Sequence, residues 1–220
     1  MRIVLMGPPG AGKGTQAKRL ADKFSMAHLS SGDIFRAEKA SGSELGKKMA
    51  EFMNAGALVP DDIVVSVMAK AITQSQAGGG LLLDGFPRTV PQAQALDEQL
   101  AKAGKPLDAI AVITANDEEI VGRITGRWTC PTCGKIYHSK AMPPKKAGVC
   151  DVEGAALTQR SDDKEEVVRQ RLSAYYKQTE PVIAYYRNRK AKMVEVDGMA
   201  APDQVTAKMV VALEELSGRA

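Results

Sequence analysis

The sequence holds little that reacts or crosses membranes. Of 220 residues, 5% are aromatic, with one tryptophan, two histidines and three cysteines. No apolar run approaches the roughly 18 to 20 residues of a membrane span. The apolar start, Met1 to Met6, is stopped by Gly7 and is too short for a signal peptide, so a cytoplasmic location is expected. Cys130, Cys133 and Cys150 are an odd number confined to one short stretch. That argues against a disulfide framework and fits a metal site in a reducing compartment. Neither charge sign dominates: the net charge of +4 is mildly basic and demands no nucleic-acid partner. With 44% apolar and 25% charged residues, the composition is that of a soluble globular protein of one to two domains.

Short apolar runs read as buried parallel strands at Arg2 to Met6, Leu81 to Asp84, Asp108 to Thr114 and Lys192 to Val196, with Ala27 to Ser30 as a fifth. Helical patterns alternate with them at Lys13 to Phe24, Asp61 to Gln74, Pro91 to Ala103 and Asp117 to Gly126. A longer one covers Asp163 to Arg189, and a last one Pro202 to Leu216. This alternation predicts an α/β doubly wound parallel sheet. Two stretches interrupt it. Residues 31–60 read as consecutive helices split near Ser41-Gly42-Ser43. Residues 128–160 have no helical period and are rich in glycine, proline, lysine and cysteine. Both read as insertions on the core.

Gly7-Pro8-Pro9-Gly10-Ala11-Gly12-Lys13-Gly14-Thr15 follows the first strand and opens the first helix. Its glycines let backbone N–H groups face a phosphate, and the helix N-terminus adds its dipole. Lys13 places a cation on the β and γ phosphates, and Thr15 offers a hydroxyl to Mg²⁺. A glycine-rich turn with a surface lysine would look alike, but the strand before and the helix after favour a phosphate-binding P-loop. Asp84 ends a second strand, where an acid beside this loop holds Mg²⁺ through water; otherwise it is a capping aspartate before Gly85.

Together with this loop, Ser31-Gly32-Asp33-Ile34-Phe35-Arg36, Asp84-Gly85-Phe86-Pro87-Arg88 with Gln92, Gly126-Arg127, Tyr137-His138, Gln159 to Asp163 and Arg171-Leu172 resemble the adenylate kinase family in its long bacterial form, in order along the whole chain. Ser31 stands where that family more often has threonine. The resemblance implies a P-loop core with a five-stranded parallel sheet at residues 1–30, 60–126 and 164–220, a helical NMP-binding insertion at 31–59 and a zinc-ribbon-like lid at 127–163. It implies a monomer whose small-molecule substrates are ATP, AMP and ADP, with Mg²⁺ accompanying ATP and no nucleic-acid or membrane partner. ATP would meet Gly10, Ala11, Gly12, Lys13, Gly14 and Thr15, with Arg123 and Arg127 on its phosphates. Ile136 and Tyr137 would pack near it, and the turn at Gly198 and Met199 would touch its adenine. AMP would lie against Ser31, Ala57, Leu58 and Val59, with Gly85, Phe86 and Pro87 close by. Arg36 and Arg88 would grip its phosphate, since a planar guanidinium meets phosphate oxygens two at a time. Gln92, which both donates and accepts, suits an adenine edge. Arg160 and Arg171 would close onto both substrates. Lys13, Arg88, Arg123, Arg127, Arg160 and Arg171 form the expected catalytic set.

A lone arginine is usually a solvated charge. Six at motif positions should line a wet cleft, because burying them unpaired is costly. His28 and His138 offer no obvious base, and none is needed: the acceptor is a phosphate oxygen, already anionic near neutral pH. Catalysis is then positioning and charge stabilisation. His28 is expected to be structural, and His138 to pack or hydrogen-bond in the lid.

Cys130-Pro131-Thr132-Cys133-Gly134 and Cys150-Asp151-Val152-Glu153-Gly154 are parallel turns, C-x2-C-G and C-x2-E-G. Paired knuckles of this kind make a tetrahedral zinc site. Glu153 occupies the fourth position, with Asp151 and His138 as fallback ligands; three reduced buried thiols without metal is the plainer alternative. A kinase for another nucleoside monophosphate is the nearest rival reading. A zinc-ribbon nucleic-acid module on a P-loop ATPase is weaker, because only Trp128 and Tyr137 lie near Lys135, Lys140, Lys145 and Lys146.

Overall fold

The computed structural model describes residues 1–75 and 80–218. The core is one parallel sheet of β1 (Arg2–Met6), β2 (Ala27–Ser30), β3 (Leu81–Asp84), β4 (Ala109–Thr114) and β7 (Met193–Asp197), in the order β2-β3-β1-β4-β7. Alternate residues of each strand face opposite sides. Val4, Met6, Leu83, Ile110 and Val112 join an apolar cluster on one face; Ile3, Leu5, Leu82, Ala111 and Ile113 join one on the other. Both faces are covered, which is why the strands read as continuous apolar runs. Helices α1 (Lys13–Phe24) and α9 (Pro202–Ser217) cover the second face through Leu20, Met209 and Leu213.

Residues 31–54 form α2 (Ser31–Ala40) and α3 (Glu44–Asn54), started by the side chains of Ser30 and Ser43, each accepting a backbone N–H of the first turn. Next come α4 (Asp61–Gln74), α5 (Val90–Lys102), capped by Thr89, and α6 (Asp117–Thr125), capped by Asn116. The second insertion holds a two-stranded antiparallel sheet of β5 (Arg127–Thr129) and β6 (Ile136–His138). It has a small core of its own: Cys130, Tyr137, Cys150 and Leu157.

The expected long helix from Asp163 to Arg189 runs without a break from Glu165 to Asn188, but it is widened midway. The chain makes a 3-10 turn at Ser161–Asp163, then α7 (Glu165–Ala174), a wide π turn at Tyr175–Thr179 and α8 (Glu180–Asn188). Pro181 lies in the first turn of α8 and has no N–H to donate backwards. The widened turn before it absorbs the missing bond. Among the described residues no helix is long and apolar enough to cross a membrane.

Candidate active site

The phosphate loop joins β1 to α1 at the carboxyl end of the sheet. Among the described α-helices, α1 alone starts with neither a side-chain cap nor an acid in its first turn; its N-cap is Gly12, at φ 93°. The other helices satisfy their first N–H groups or their dipole internally. α1 leaves both for an anion. The Lys13 ammonium donates to the Gly7 and Pro8 carbonyls, at 2.7 Å each, and so lies folded over the loop.

Burial lowers the Lys13 pKa to about 7. Attraction from Asp84 opposes the shift, and repulsion from Arg88, Arg171 and Arg127 adds to it. Asp84 is buried, pairs in register with Leu5 of β1 and Ser30 of β2, and sits beside Gly14. His28, on β2, has its Nε2 3.7 Å from the Asp84 carboxylate.

A second cleft opens beside the loop, between α2, the segment 56–59, the Gly85–Arg88 turn and α7. Arg36, Ala57, Leu58, Val59, Arg88 and Gln92 line it. Gly85 (φ 74°) forms its floor: a Cβ there would meet Ser31 Oγ at 2.8 Å and the Arg88 guanidinium at 3.1 Å. Only glycine accepts that backbone and that crowding. Ser31 is fully buried and donates to the Gly85 carbonyl at 2.6 Å, so its hydroxyl ties α2 to the turn. Arg88 Nε donates to the same carbonyl at 2.7 Å. Burial lowers the Arg88 pKa to about 10, helped by repulsion from Arg171 and Arg36 and opposed by Asp84 and Asp162; at neutral pH it remains a cation.

The arginines share this cleft with carboxylates to which the motifs assign no role. Arg127 binds Asp163 through both ends of its guanidinium, its Nε donating at 2.9 Å. Arg171 lies 2.9 Å from Asp162 and 3.8 Å from Asp163, and Arg36 pairs with Asp33. Asp163 is fully buried, and only this pairing makes its burial tolerable. Arg160 is held down to about 10, first by burial and then by Arg127 and Arg36. The run Arg160-Ser161-Asp162-Asp163 was the available signal, because it sets two acids next to an arginine expected on phosphate, and these acids pair with Arg127 and Arg171.

Several expected residues are placed differently from a simple phosphate contact. Arg123 donates to the Gly198 carbonyl at 2.8 Å and to that of Met199 at 3.4 Å, bracing the turn after β7. A Cβ at Gly198 would lie 2.8 Å from the Ala11 carbonyl, so this turn and the phosphate loop are in contact. Tyr137 is 1% exposed and packed in the lid's own core, so its ring is not free to stack on a nucleotide. Ile136, beside it, is half-buried.

In the lid the two knuckles are the same turn. Gly134 N–H donates to the Cys130 carbonyl and Gly154 N–H to that of Cys150; Cys130 N–H donates to the Lys135 carbonyl and Cys150 N–H to that of Ala155. The three Sγ atoms lie within 4.8 Å of one another, and among the described residues no carboxylate or imidazole joins them. Glu153 is exposed, outside this group. Both fallback ligands have other partners: Asp151 accepts the Lys145 N–H, and His138 Nδ1 accepts those of Lys140 and Ala141. The Tyr137 hydroxyl lies 3.5 Å from Cys150 Sγ.

An uncapped helix behind a glycine loop, a lysine folded over it and a second arginine-lined cleft define a P-loop phosphotransferase whose acceptor is itself a phosphate, the arrangement of a nucleoside monophosphate kinase. Sequence comparison narrows the class. A sequence model of the family described as adenylate kinase matches residues 5–191. The chain is 49% identical over 215 residues to an adenylate kinase of Streptomyces coelicolor, covering 97% of this chain and 99% of that one. It is 47% identical over 215 residues to an adenylate kinase of Methanococcoides burtonii, covering 98% and 99%. With an adenylate kinase of Thermosipho africanus it shares 48% over 210 residues, covering 96% and 98%. The chain belongs to the adenylate kinase family.

Proposed function

We propose that the protein transfers the γ-phosphoryl group of Mg-ATP reversibly to AMP, giving two ADP, and so balances the cell's adenine nucleotides as a cytoplasmic monomer. The observation that carries this reading is the meeting of two anion sites on one sheet edge. Lys13 and the N-terminus of α1 serve one, Arg36 and Arg88 the other, with Arg127, Arg160 and Arg171 between them. No side chain need remove a proton, since the acceptor oxygen is already anionic. Asp84 and Thr15 would hold the Mg²⁺ of ATP through water, and the ion would neutralise charge on the β and γ phosphates. An acceptor panel tests the reading: AMP should exceed UMP, CMP and GMP in kcat/KM. A preference for one of those three would overturn it.

Residues 31–59 and 127–163 would move as bodies against the core. The acceptor cleft lies between residues 31–59 and the core, so movement of that insertion would open it to AMP and close it again. The lid's separate core, and a single hydrogen bond between the two insertions among the described residues, from Ser161 Oγ to Asn54 Oδ1 at 3.3 Å, are consistent with such movement. Closure then excludes water, the competing acceptor.

Binding should take up a proton. Phosphate anions beside Lys13 reverse the burial shift and raise its pKa. With a starting value of about 7, Lys13 is about one-tenth protonated at pH 8 and about nine-tenths at pH 6. Calorimetry of Mg-ATP binding in buffers of different ionisation enthalpy should therefore show close to one proton taken up at pH 8 and nearly none at pH 6. The difference should vanish in Lys13→Met; the same uptake at both pH values would contradict the assignment.

The knuckles would hold a structural Zn²⁺. The matched turns and the gathered sulfurs fit the metal: Cys130, Cys133 and Cys150 supply three ligands, and Glu153, at the position equivalent to Cys133, supplies the fourth by turning its side chain inward. Zinc stabilises the lid without taking part in transfer. Cys150→Ser should abolish stoichiometric zinc and lower Tm while leaving turnover at low temperature largely intact. Glu153→Asp should keep the metal and Glu153→Ala weaken it. One equivalent of zinc retained in Glu153→Ala with unchanged Tm would remove Glu153 from the ligand set.

A further inference from the structure

Gln92, proposed above to read the acceptor base, is 1% exposed, and its carboxamide is already half committed. Its Oε1 accepts the Arg88 N–H at 2.8 Å. Its Nε2 donates to Asp61 Oδ1 at 2.7 Å. The same Asp61 oxygen accepts the Thr89 hydroxyl at 2.9 Å, and Thr89 Oγ1 in turn accepts the Gln92 N–H at 3.3 Å as the cap of α5. A backbone N–H only donates and a carboxylate only accepts. The two partners therefore enforce one orientation of the amide from opposite ends. Turning it over would set N–H against N–H at Arg88 and oxygen against oxygen at Asp61.

A carboxamide has two donor hydrogens and two acceptor lone pairs. One of each is spent inside the protein. One acceptor on Oε1 and one donor on Nε2 remain for the cleft that Gln92 lines. Adenine offers the complement, a donor at N6 and an acceptor at N1. Hypoxanthine and guanine offer the reverse, an acceptor at O6 and a donor at N1. Cytosine offers the same pair as adenine, so its exclusion must rest on ring size and not on this amide.

We propose that Asp61 is a specificity-determining positioning residue, which locks the Gln92 carboxamide in the orientation that accepts a 6-amino purine and rejects a 6-oxo purine. It touches no substrate and acts through Gln92. The inference rests on the reading that Gln92 meets the acceptor base, and the experiment separates the two. Kinetics of the full chain are measured with AMP and with IMP at saturating Mg-ATP, for the wild type, Asp61→Asn and Gln92→Ala.

The asparagine keeps shape but can donate as well as accept, so it releases the Asp61 end of the lock and leaves only the Arg88 N–H to hold Gln92 in orientation. In Asp61→Asn the ratio of kcat/KM for AMP over IMP should fall by about tenfold, mainly through KM, with kcat for AMP little changed. A residue needed only to start α4 would lower both substrates by one factor and leave the ratio unchanged; that result overturns the proposal. If Gln92→Ala also leaves the ratio unchanged, the base-reading role of Gln92 fails first. If Gln92→Ala collapses the ratio and Asp61→Asn does not, only the role of Asp61 fails. A second measurement needs no variant: in the NMR spectrum of the wild type, the Gln92 side-chain NH₂ should exchange far more slowly than that of exposed glutamines. Free exchange would equally overturn the lock.

Discussion

Lys13→Met is expected to lower kcat by about two to three orders of magnitude, with a much smaller loss of nucleotide affinity. Methionine keeps the unbranched stem of the side chain and its helix propensity at the first position of α1, and removes the ammonium. The bonds lost are those to the Gly7 and Pro8 carbonyls at the mouth of the loop, so the protein should stay folded. Kinetics should suffer more than binding because negative charge shifts toward the leaving oxygen as the phosphoryl group departs, and Lys13 stands where that charge develops. Steady-state kinetics beside a nucleotide-binding titration read the split. Turnover near that of the wild type would remove Lys13 from the catalytic set.

Arg88→Ala is expected to raise the KM for AMP by about ten- to a hundredfold and to leave the KM for Mg-ATP within about threefold. The guanidinium is anchored by the Gly85 carbonyl, beside the Ser31 hydroxyl, and faces the cleft that the second nucleotide would occupy. Arg88→Lys should recover only part of the loss, because a point charge cannot meet two phosphate oxygens in one plane. Burial first, and then repulsion from Arg171 and Arg36, hold the Arg88 pKa down, so its removal relieves a desolvated charge and its repulsion. Tm should accordingly stay level or rise while activity falls. A variant whose ATP constant moved and whose AMP constant did not would reverse the assignment of the two sites.

Much of this was legible because the relevant physics is local. The Gly7 to Thr15 loop declares its geometry within nine residues, and the buried strands declare themselves by short continuous apolar runs. The split at Ser41-Gly42-Ser43 was visible because Ser43 caps the next helix. What the sequence hid lies across long separations. Asp163 meets Arg127 from 36 residues away, and Asp61 meets Gln92 from 31, so neither pairing leaves a periodic trace. Tyr137 is expected near the nucleotide because its motif carries that expectation; the burial of its ring against Cys130 and Cys150 depends on how the two knuckles fold together. The π turn at Tyr175–Thr179 kept helical periodicity on both sides and was masked by it. Only Pro181 marked the place.

The most direct test of the account is the stoichiometry of ADP formation by the purified protein given Mg-ATP alone, AMP alone, or both. The two-site cleft predicts no appreciable ADP from either nucleotide alone. With both present, it predicts two ADP for each ATP consumed and no release of inorganic phosphate. ADP and phosphate appearing one for one from Mg-ATP, at a rate indifferent to AMP, would show that water is the acceptor and would contradict phosphoryl transfer between the two anion sites.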